Sequence, residues 1–390
     1  MRRGAGRRRT HIRLGMLFAM RRVVGFAAVV VLAGCSAESA GTAPPTTSPE
    51  GLKVEVVASG LTHPWDVGFL PDGRMLVPQR PGRIALVGKD GRVGEVAADL
   101  GDVAARGEGG LMSLVVHPDF ATSRRFTTCF NTAEDVRLVT WVLDGDRATR
   151  VRDPLLAGLP SNPSGRHSGC RMALDNDGNL LIGTGDTARA NVPQDRGSLG
   201  GKVLRVDLDT GEGVPGNPFG DRIYTYGHRN VQGVAVREDG VVFTAEHGPD
   251  VDDEVNALKP GGNYGWDPSR GGTVGGYDED VPMTDLERFP DAVPAAWSSG
   301  DPTEAICDAA FLRGEQWGDL AGVLAVTALK GTKLLLFTVT QEGGVHSVAV
   351  PPELDGTHGR LRGAELGPDG ALYVTTSNGR GDELLRITRA

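Results

Sequence analysis

One short sequence pattern occurs six times in the chain: an acidic turn followed by an apolar run that alternates as in a β-strand. In the four clearest copies Asp-Gly lies between two apolar runs, which is a strong signal for a β-hairpin. These copies occupy residues 71–77, 175–182, 237–243 and 367–374. Two weaker copies lie beside strand-like runs at residues 117–120 and 316–320. The repeat predicts a chain built from many short antiparallel strands.

The spacing of the six turns indicates the architecture. Their aspartates are 47, 58, 62, 80 and 50 residues apart: Asp72, Asp119, Asp177, Asp239, Asp319 and Asp369. Such a repeat, with several strands per unit, is typical of propeller blades of about 40 to 50 residues with loop insertions. The 57 glycines and 24 prolines also favour frequent tight turns. We expect an all-β fold, a six-bladed β-propeller of four-stranded antiparallel blades whose loops meet at one mouth of the central axis.

The N-terminal segment is typical of an exported protein. Residues 1–34 carry eight arginines and no acidic residue, and they end in an apolar run too short for a membrane span of about 20 residues. The run stops at Leu-Ala-Gly before Cys35, which resembles a bacterial lipobox and predicts lipidation of that cysteine. We expect a signal peptide at 1–34, a lipidated cysteine and flexible tether at 35–50, and the propeller at 51–390. The protein would then be anchored to the cell membrane, facing outside the cytoplasm.

Charge and cysteine content narrow the partners. Beyond residue 34 the chain has 33 basic and 50 acidic residues, a net charge of about −17, which argues against nucleic acid as a partner. Export implies an oxidising compartment in which cysteines pair. With Cys35 lipidated, Cys129, Cys170 and Cys307 remain, so the simplest outcome is one disulfide and one free thiol.

One histidine lies on a glycine-rich, cationic loop, Ser164-Gly-Arg-His-Ser-Gly-Cys-Arg171, just before an apolar run. In a propeller this loop would line the mouth, where the imidazole of His167 could act as a base near neutral pH. Most loop histidines are merely solvated, so this position alone does not decide the function.

Nine motifs supply the context. They occur in the order 107–112, 117–120, 183–186, 201–206, 217–219, 226–230, 246–249, 252–254 and 261–266. Together they resemble the soluble pyrroloquinoline quinone (PQQ)-dependent sugar dehydrogenases, the glucose/sorbosone and aldose dehydrogenase family. The resemblance runs from about Leu52 to the C-terminus and is most specific between His228 and Trp266.

The resemblance implies oxidation of an aldose or a related alcohol, with the quinone as hydride acceptor. It assigns His167 as the catalytic base and Asp186 as the carboxylate that orients the imidazole. Arg229 and Asn230 match the pair that contacts the quinone oxygens, where a fixed cation stabilises negative charge. Without the resemblance, Arg229 would be read as an ordinary ion pair and Asn230 as a turn residue.

The resemblance also implies calcium. The family holds it partly through backbone carbonyls of a Gly-Pro pair, which Gly248 and Pro249 match, and oxygen ligands from a loop suit this ion. The acids just downstream, Asp252, Asp253 and Glu254, are interpreted either as a second calcium site or as a solvated loop.

Three further cations match residues that pair with the carboxylates of the cofactor: Lys330, Arg360 and Arg362. If they converge on one mouth they suit a tricarboxylate, and otherwise they are three surface charges. Glu108 departs from the pattern, because the family usually has glutamine at this position. A carboxylate only accepts hydrogen bonds and would repel a polyanionic quinone.

Two unusual cysteines lie at positions that would line the pocket. We hypothesise a disulfide between Cys170 and Cys307 that would narrow the cofactor slot. Together with Glu108 it would favour a second function, a lipid-anchored propeller of the same family that has lost PQQ and binds a ligand or an unidentified protein partner in the envelope. The intact set around His167 and Arg229 favours the PQQ- and Ca²⁺-dependent dehydrogenase, and both hypotheses stay open.

Overall fold

A computed structural model of the protein describes residues 51–273 and 276–390. The predicted signal peptide, Cys35 and the tether lie outside the described residues. Inside them, no helix has the length and apolar character that a membrane crossing requires.

The described residues form six four-stranded antiparallel sheets. The strands of the first three blades, in sheet order, are β2 (Gly68–Phe69), β3 (Met75–Gln79), β4 (Arg83–Val87), β5 (Val93–Glu95); β6 (Leu111–Val116), β7 (Arg125–Asn131), β8 (Val136–Asp144), β9 (Arg147–Leu159); and β10 (Gly169–Leu174), β11 (Leu180–Thr184), β12 (Lys202–Val206), β13 (Ile223–Tyr226). Those of the last three are β14 (Val231–Val236), β15 (Val242–Glu246), β16 (Glu254–Ala257), β17 (Trp297–Ser298); β18 (Ile306–Phe311), β19 (Leu324–Ala328), β20 (Lys333–Val339), β21 (Val345–Ala349); and β22 (Leu361–Leu366), β23 (Leu372–Thr376), β24 (Asp382–Arg389), β1 (Leu52–Leu61). The helices are short: one α-helical turn, α1 (Phe120–Ser123), and 3₁₀ segments at Glu315–Leu320 and Pro352–Leu354.

The predicted six-bladed propeller is confirmed, and the repeat that predicted it has a structural meaning. Each of the six turn aspartates lies between the first and second strand of a different blade. The widest spacing, from Asp239 to Asp319, arises because residues 258–296 make a long excursion between β16 and β17. The innermost hairpin is therefore the constant part of each blade, and the insertions fall in the later connections.

The last blade takes its fourth strand, β1, from the beginning of the propeller segment, and this pairing closes the ring. Strand β1 pairs antiparallel with β24, from Leu52 opposite Arg389 to Leu61 opposite Asp382. Buried apolar clusters lie between neighbouring blades, and one of them joins Val77 of the first blade to Leu384 of the last. Because apolar burial is the main favourable term in folding, these seams hold the blades around one axis.

The structure corrects the predicted disulfide. Cys170 pairs with Cys129, with 6.2 Å between their Cα atoms, and Cys307 is the buried free thiol. The hypothesis of a Cys170–Cys307 bridge is therefore wrong, whereas one disulfide and one thiol among these three cysteines is confirmed. The reason is local: a register shift between Gly169 and Arg171 places Cys170 in the core between the second and third blades, while Cys307 lies on β18 in the fifth.

Candidate active site

Loops from four blades meet around a cavity of about 300 Å³ at one mouth of the ring. Its lining residues are Glu108, His167, Arg229, Asn230, His247, Gly248, Pro249, Asp250, Thr303, Ala305 and Lys330. Of the residues selected from the sequence, His167 precedes β10, Arg229 precedes β14 and Lys330 follows β19. The ring thus brings together side chains that are far apart along the chain.

The glycines near His167 allow two backbone segments to pack closely against each other. A Cβ atom on Gly169 would lie 2.4 Å from the nitrogen of Gly185, and one on Gly185 would lie 2.0 Å from the carbonyl oxygen of His167. Real Cβ atoms do not tolerate such contacts, so the two loops can pack this closely only with glycine at both positions. Because Gly185 immediately precedes Asp186, the same contact brings the carboxylate to the imidazole.

The imidazole of His167 and the carboxylate of Asp186 form a buried pair. Nδ1 of His167 lies 2.7 Å from Oδ1 of Asp186, and both side chains are almost fully buried. Asp186 Oδ2 accepts hydrogen bonds from Nε1 of Trp266 at 2.8 Å and from the hydroxyl of Tyr277 at 2.6 Å. Because an ionised carboxylate only accepts, Nδ1 carries the proton and the lone pair of His167 is on Nε2.

Arg229 is a buried cation whose contacts come from several loops. Nη1 donates to the carbonyl oxygen of His247 at 3.0 Å, and Nη2 lies 2.5 Å from Oε1 of Glu279. Nε is buried and has no hydrogen-bond partner among the described residues. The guanidinium lies over the ring of Trp266, 5.7 Å from the centroid. Arg229 therefore retains a free donor in the wall of the site.

Glu108 accepts hydrogen bonds rather than lying free in the cavity. Its carboxylate accepts from Nδ2 of Asn230 at 3.1 Å, from Nε2 of Gln232 at 3.3 Å and from the backbone nitrogen of Ser168 at 3.2 Å. Three donors offset part of its charge. The departure from glutamine thus orients the amide of Asn230 and leaves a negative charge beside the site.

The predicted cations occupy two parts of the mouth. Lys330 lines the cavity itself, whereas Arg362 is buried, packs on the ring of Trp65 and donates to Oε1 of Gln232 at 3.1 Å. Burial, together with Arg362, lowers the pKa of Arg360, so those two cations are close. Sequence reasoning missed Arg80, whose pKa is lowered by burial and by Arg362 and Arg360. Its place just after β3, where strands end at the mouth, was the available signal.

The Gly-Pro pair assigned to calcium lines the cavity, and its carbonyl oxygens are free. No hydrogen bond among residues 51–273 and 276–390 ends on the carbonyl oxygen of Gly248 or of Pro249. Asp253 instead fixes the loop: its Oδ1 accepts from the nitrogen of Gly248 at 2.9 Å and from Oγ1 of Thr303 at 2.6 Å. Two carbonyl oxygens at a cavity wall without hydrogen-bond partners in the described residues suit a hard cation such as calcium.

The three acids after this pair have separate hydrogen-bond partners. Asp252 accepts from the hydroxyl of Ser298, and Glu254 accepts from that of Thr284 at 2.9 Å. Burial and the nearby Glu246 raise the pKa of Glu254 to about 8. In the described part of the chain the one group of three converging ligand residues is Asp66, Asp308 and Glu365, on the central axis. Asp253 and Glu254 are buried, so they do not solvate a loop, and a second calcium site at these three acids stays a prediction.

The excursion at 258–296 contributes side chains that the sequence did not indicate. The hydroxyl of Tyr277 lies 3.3 Å from Nδ1 of His167, in addition to its bond to Asp186. Glu279 forms ion pairs with both Arg166 and Arg229. These residues lie outside the segment in which the family resemblance is most specific, His228 to Trp266, and no periodic pattern marks them. Only the folded ring shows that this loop crosses the mouth.

Comparison with known proteins identifies the family. The family model for glucose/sorbosone dehydrogenase matches residues 61–386, most of the chain. The chain belongs to the glucose/sorbosone dehydrogenase family. Within this family, the aldose sugar dehydrogenase YliI of Escherichia coli (strain K12) is 30% identical over 361 residues, 87% of this chain and 94% of that protein.

Two solved structures align with the whole ring of this glucose/sorbosone dehydrogenase family member. One, a putative glucose dehydrogenase from Thermus thermophilus, is 38% identical with a TM-score of 0.73 and covers 86% of this chain and all of the other. The other is the PQQ-bound form of an aldose sugar dehydrogenase from Streptomyces coelicolor, 31% identical with a TM-score of 0.69, covering 87% of this chain and all of that one.

Proposed function

We propose that the protein is a PQQ- and calcium-dependent dehydrogenase that oxidises an aldose or a related alcohol, with His167 as general base. The observation that carries this proposal is the buried His167–Asp186 pair at a cavity lined also by Arg229, Asn230 and Lys330. A PQQ-bound relative of the same family supports the cofactor, and an aldose sugar dehydrogenase relative supports the substrate class.

The chain's own groups suit the proton-transfer half of such a reaction. Nε2 of His167 would take the proton of the substrate hydroxyl, and Asp186 would stabilise the imidazolium that forms. Trp266 and Tyr277 hold the carboxylate through two hydrogen bonds, so the imidazole keeps one orientation. Such fixed orientation is what a general base needs.

The wall of the cavity also fits the cofactor. Arg229 has a free buried donor, Lys330 lines the cavity, and Arg360 and Arg362 lie nearby, so a polyanion would meet several cations. When bound, the quinone would accept the hydride of the oxidised carbon. The carbonyl oxygens of Gly248 and Pro249 would hold calcium.

A second candidate is a propeller of this family that no longer binds PQQ and serves as a ligand- or partner-binding protein of the envelope. Two carboxylates favour it, because Glu279 is paired with Arg229 and Glu108 bonds to Asn230. For either function we propose export and membrane anchoring through a lipid on Cys35, from the N-terminal sequence pattern alone.

Reduction of a dye by the PQQ- and Ca²⁺-loaded protein, with a panel of sugars, tests the proposed function. We expect His167→Ala to lower kcat by about 10²- to 10⁴-fold, the usual contribution of a general base, while PQQ binding persists. His346→Ala, on the exposed side of β21, is the control and keeps full turnover. Equal turnover of His167→Ala and the control would refute the base assignment, and no sugar oxidation by any loaded protein would favour the second candidate.

A further inference from the structure

One carboxylate bridges the two guanidinium groups nearest the catalytic histidine. Oε2 of Glu279 pairs with Nη2 of Arg166, and Oε1 lies 2.5 Å from Nη2 of Arg229. Arg166 precedes His167 in the chain, whereas Glu279 comes from the excursion after β16. The three side chains form a continuous charged chain along one wall of the mouth.

Arg166 also occupies the nitrogen that a base would use. Its Nε–H points at Nε2 of His167, 3.3 Å away, and Nε2 is the ring nitrogen that carries the lone pair. In this arrangement the lone pair of His167 and the guanidinium of Arg229 are both engaged by the Arg166–Glu279 pair. Nε2 of His167 and Nη2 of Arg229 are therefore unavailable to a ligand until that pair moves, whereas Nε of Arg229 keeps its free donor.

The pair is accessible enough to move. The side chain of Arg166 is 43% exposed and that of Glu279 is 34% exposed, whereas Arg229 is 5% exposed. Ion pairs between such solvated groups contribute little to stability, so the Arg166–Glu279 contact breaks easily. Partial burial alone would raise the pKa of Glu279, but hydrogen bonds from Arg166 and Arg229 lower it, so the group is an anion at neutral pH.

The Glu279 carboxylate, which lies between Arg166 and Arg229, shows which chemical group of a ligand could bind at this position. Two guanidinium groups that share one carboxylate make charge-assisted hydrogen bonds, and a planar anionic oxygen group of a ligand offers the same acceptors. A neutral hydroxyl does not, because it cannot offset the charge of buried Arg229.

We propose that the position of the Glu279 carboxylate, between Arg166 and Arg229 and beside His167, is an anion-binding subsite that a ligand enters by displacing Glu279. Displacement breaks the Glu279 contact that holds Arg166 in place, so Arg166 can turn its Nε–H away from Nε2 of His167 while its Nη groups bind the ligand. The inference rests on the proposed function for the identity of the ligand. The anionic group belongs either to the quinone cofactor or to a sugar acid, and the test separates the two.

The test uses Glu279→Gln, which removes the charge and keeps the shape, in the purified protein. Glu287→Gln is the matched control, because it removes an exposed charge from the same loop and Glu287 forms no ion pair within the described residues. Titrations with PQQ plus Ca²⁺, with D-glucuronate and with D-glucose give the affinities. We expect Glu279→Gln to bind an anion about tenfold more tightly than wild type, since the internal competitor is lost, and glucose affinity to stay unchanged. Tighter binding of PQQ alone by Glu279→Gln assigns the subsite to the cofactor. Tighter binding of glucuronate assigns it to the substrate.

A second readout does not depend on the cofactor. The rate at which diethyl pyrocarbonate modifies His167, measured by peptide mass spectrometry on cofactor-free protein, should rise in Glu279→Gln and stay at the wild-type value in Glu287→Gln. If Glu279→Gln unfolds by circular dichroism, Glu279→Ala replaces it.

The outcomes separate this inference from the proposed function. Faster modification of His167 and tighter glucuronate binding without any PQQ binding would support the subsite and refute the PQQ-dependent function. Equal PQQ affinity and equal modification rates in wild type and Glu279→Gln, with sugar oxidation intact, would overturn the subsite and leave the proposed function standing.

Discussion

At the scale of single residues, the site depends on how completely Asp186 is bonded. Its carboxylate accepts from His167, Trp266 and Tyr277, and from the backbone nitrogen of Ala188 at 2.7 Å. Burial and the neighbouring Asp186 raise the pKa of Tyr277, so its hydroxyl stays protonated and acts as a donor. Four hydrogen-bond donors therefore hold the carboxylate of Asp186 in one orientation.

Removing one of these donors should weaken catalysis without weakening binding. We expect Tyr277→Phe to lower kcat by about tenfold with KM nearly unchanged, because the carboxylate and with it the imidazole lose a fixed orientation. Steady-state kinetics of the loaded enzyme measures this. Tyr224→Phe, on β13 away from the mouth, is the control. A Tyr277→Phe enzyme as fast as the control would show that this hydroxyl does not position the pair.

The family resemblance predicted much of the site but could not predict contacts that depend on register. The matched motifs include His167, Arg229, Asn230 and Lys330, and these four residues line one cavity in the structure. The motifs could not predict which cysteine faces Cys170, because a single register shift at the start of β10 turns that side chain into the core. Glu279 was missed for a different reason, since its partners Arg166 and Arg229 lie 113 and 50 residues away along the chain.

At the scale of elements, the disulfide joins the second blade to the third. Cys129 lies on β7 and Cys170 on β10, the strand that begins two residues after His167. A cross-link at this seam restrains the strand that follows the His167 loop. The same core contains Met172 and Leu138, so covalent and apolar contacts act on one interface.

Loss of the Cys129–Cys170 disulfide should lower the free energy of unfolding by a measurable amount. We expect the double variant Cys129→Ser/Cys170→Ser to lose about 4 kcal/mol in free energy of unfolding, because the bond closes a loop of 41 residues. Urea denaturation followed by circular dichroism measures it. Cys307→Ala is the matched control, since it removes a buried thiol and no cross-link. A double variant as stable as this control would contradict the pairing.

The strands could be predicted where the acidic-turn pattern recurs, but not where the chain lacks that pattern. Six acidic turns indicated six inner hairpins, because Asp-Gly between apolar runs has a local cause in turn geometry. The excursion at 258–296 has no such local cause. Its course depends on distant contacts such as that of Tyr277 with Asp186.

At the scale of the whole molecule, a buried charge cluster on the axis links blades that are not neighbours. Nη1 of Arg171 lies 3.1 Å from Oδ2 of Asp66 and 2.9 Å from Oδ2 of Asp308. Burial raises the pKa of Asp308 to about 7, Arg171 opposes the shift and Asp66 adds to it. The ring therefore combines apolar seams between neighbouring blades with a cluster of polar contacts across its centre.

Ring closure brings His167, Arg229 and the Gly248–Pro249 pair around one cavity, the proposed cofactor site. Calorimetric titration of the purified cofactor-free protein with PQQ, with Ca²⁺ and then with a chelator, measures whether that cavity binds the cofactor. We expect saturable binding of one PQQ per chain that Ca²⁺ strengthens and Arg229→Ala weakens by about 30-fold or more, the usual effect of losing one partner of a buried charged contact. Absence of saturable binding at every Ca²⁺ concentration, or equal affinity in Arg229→Ala, would contradict this expectation.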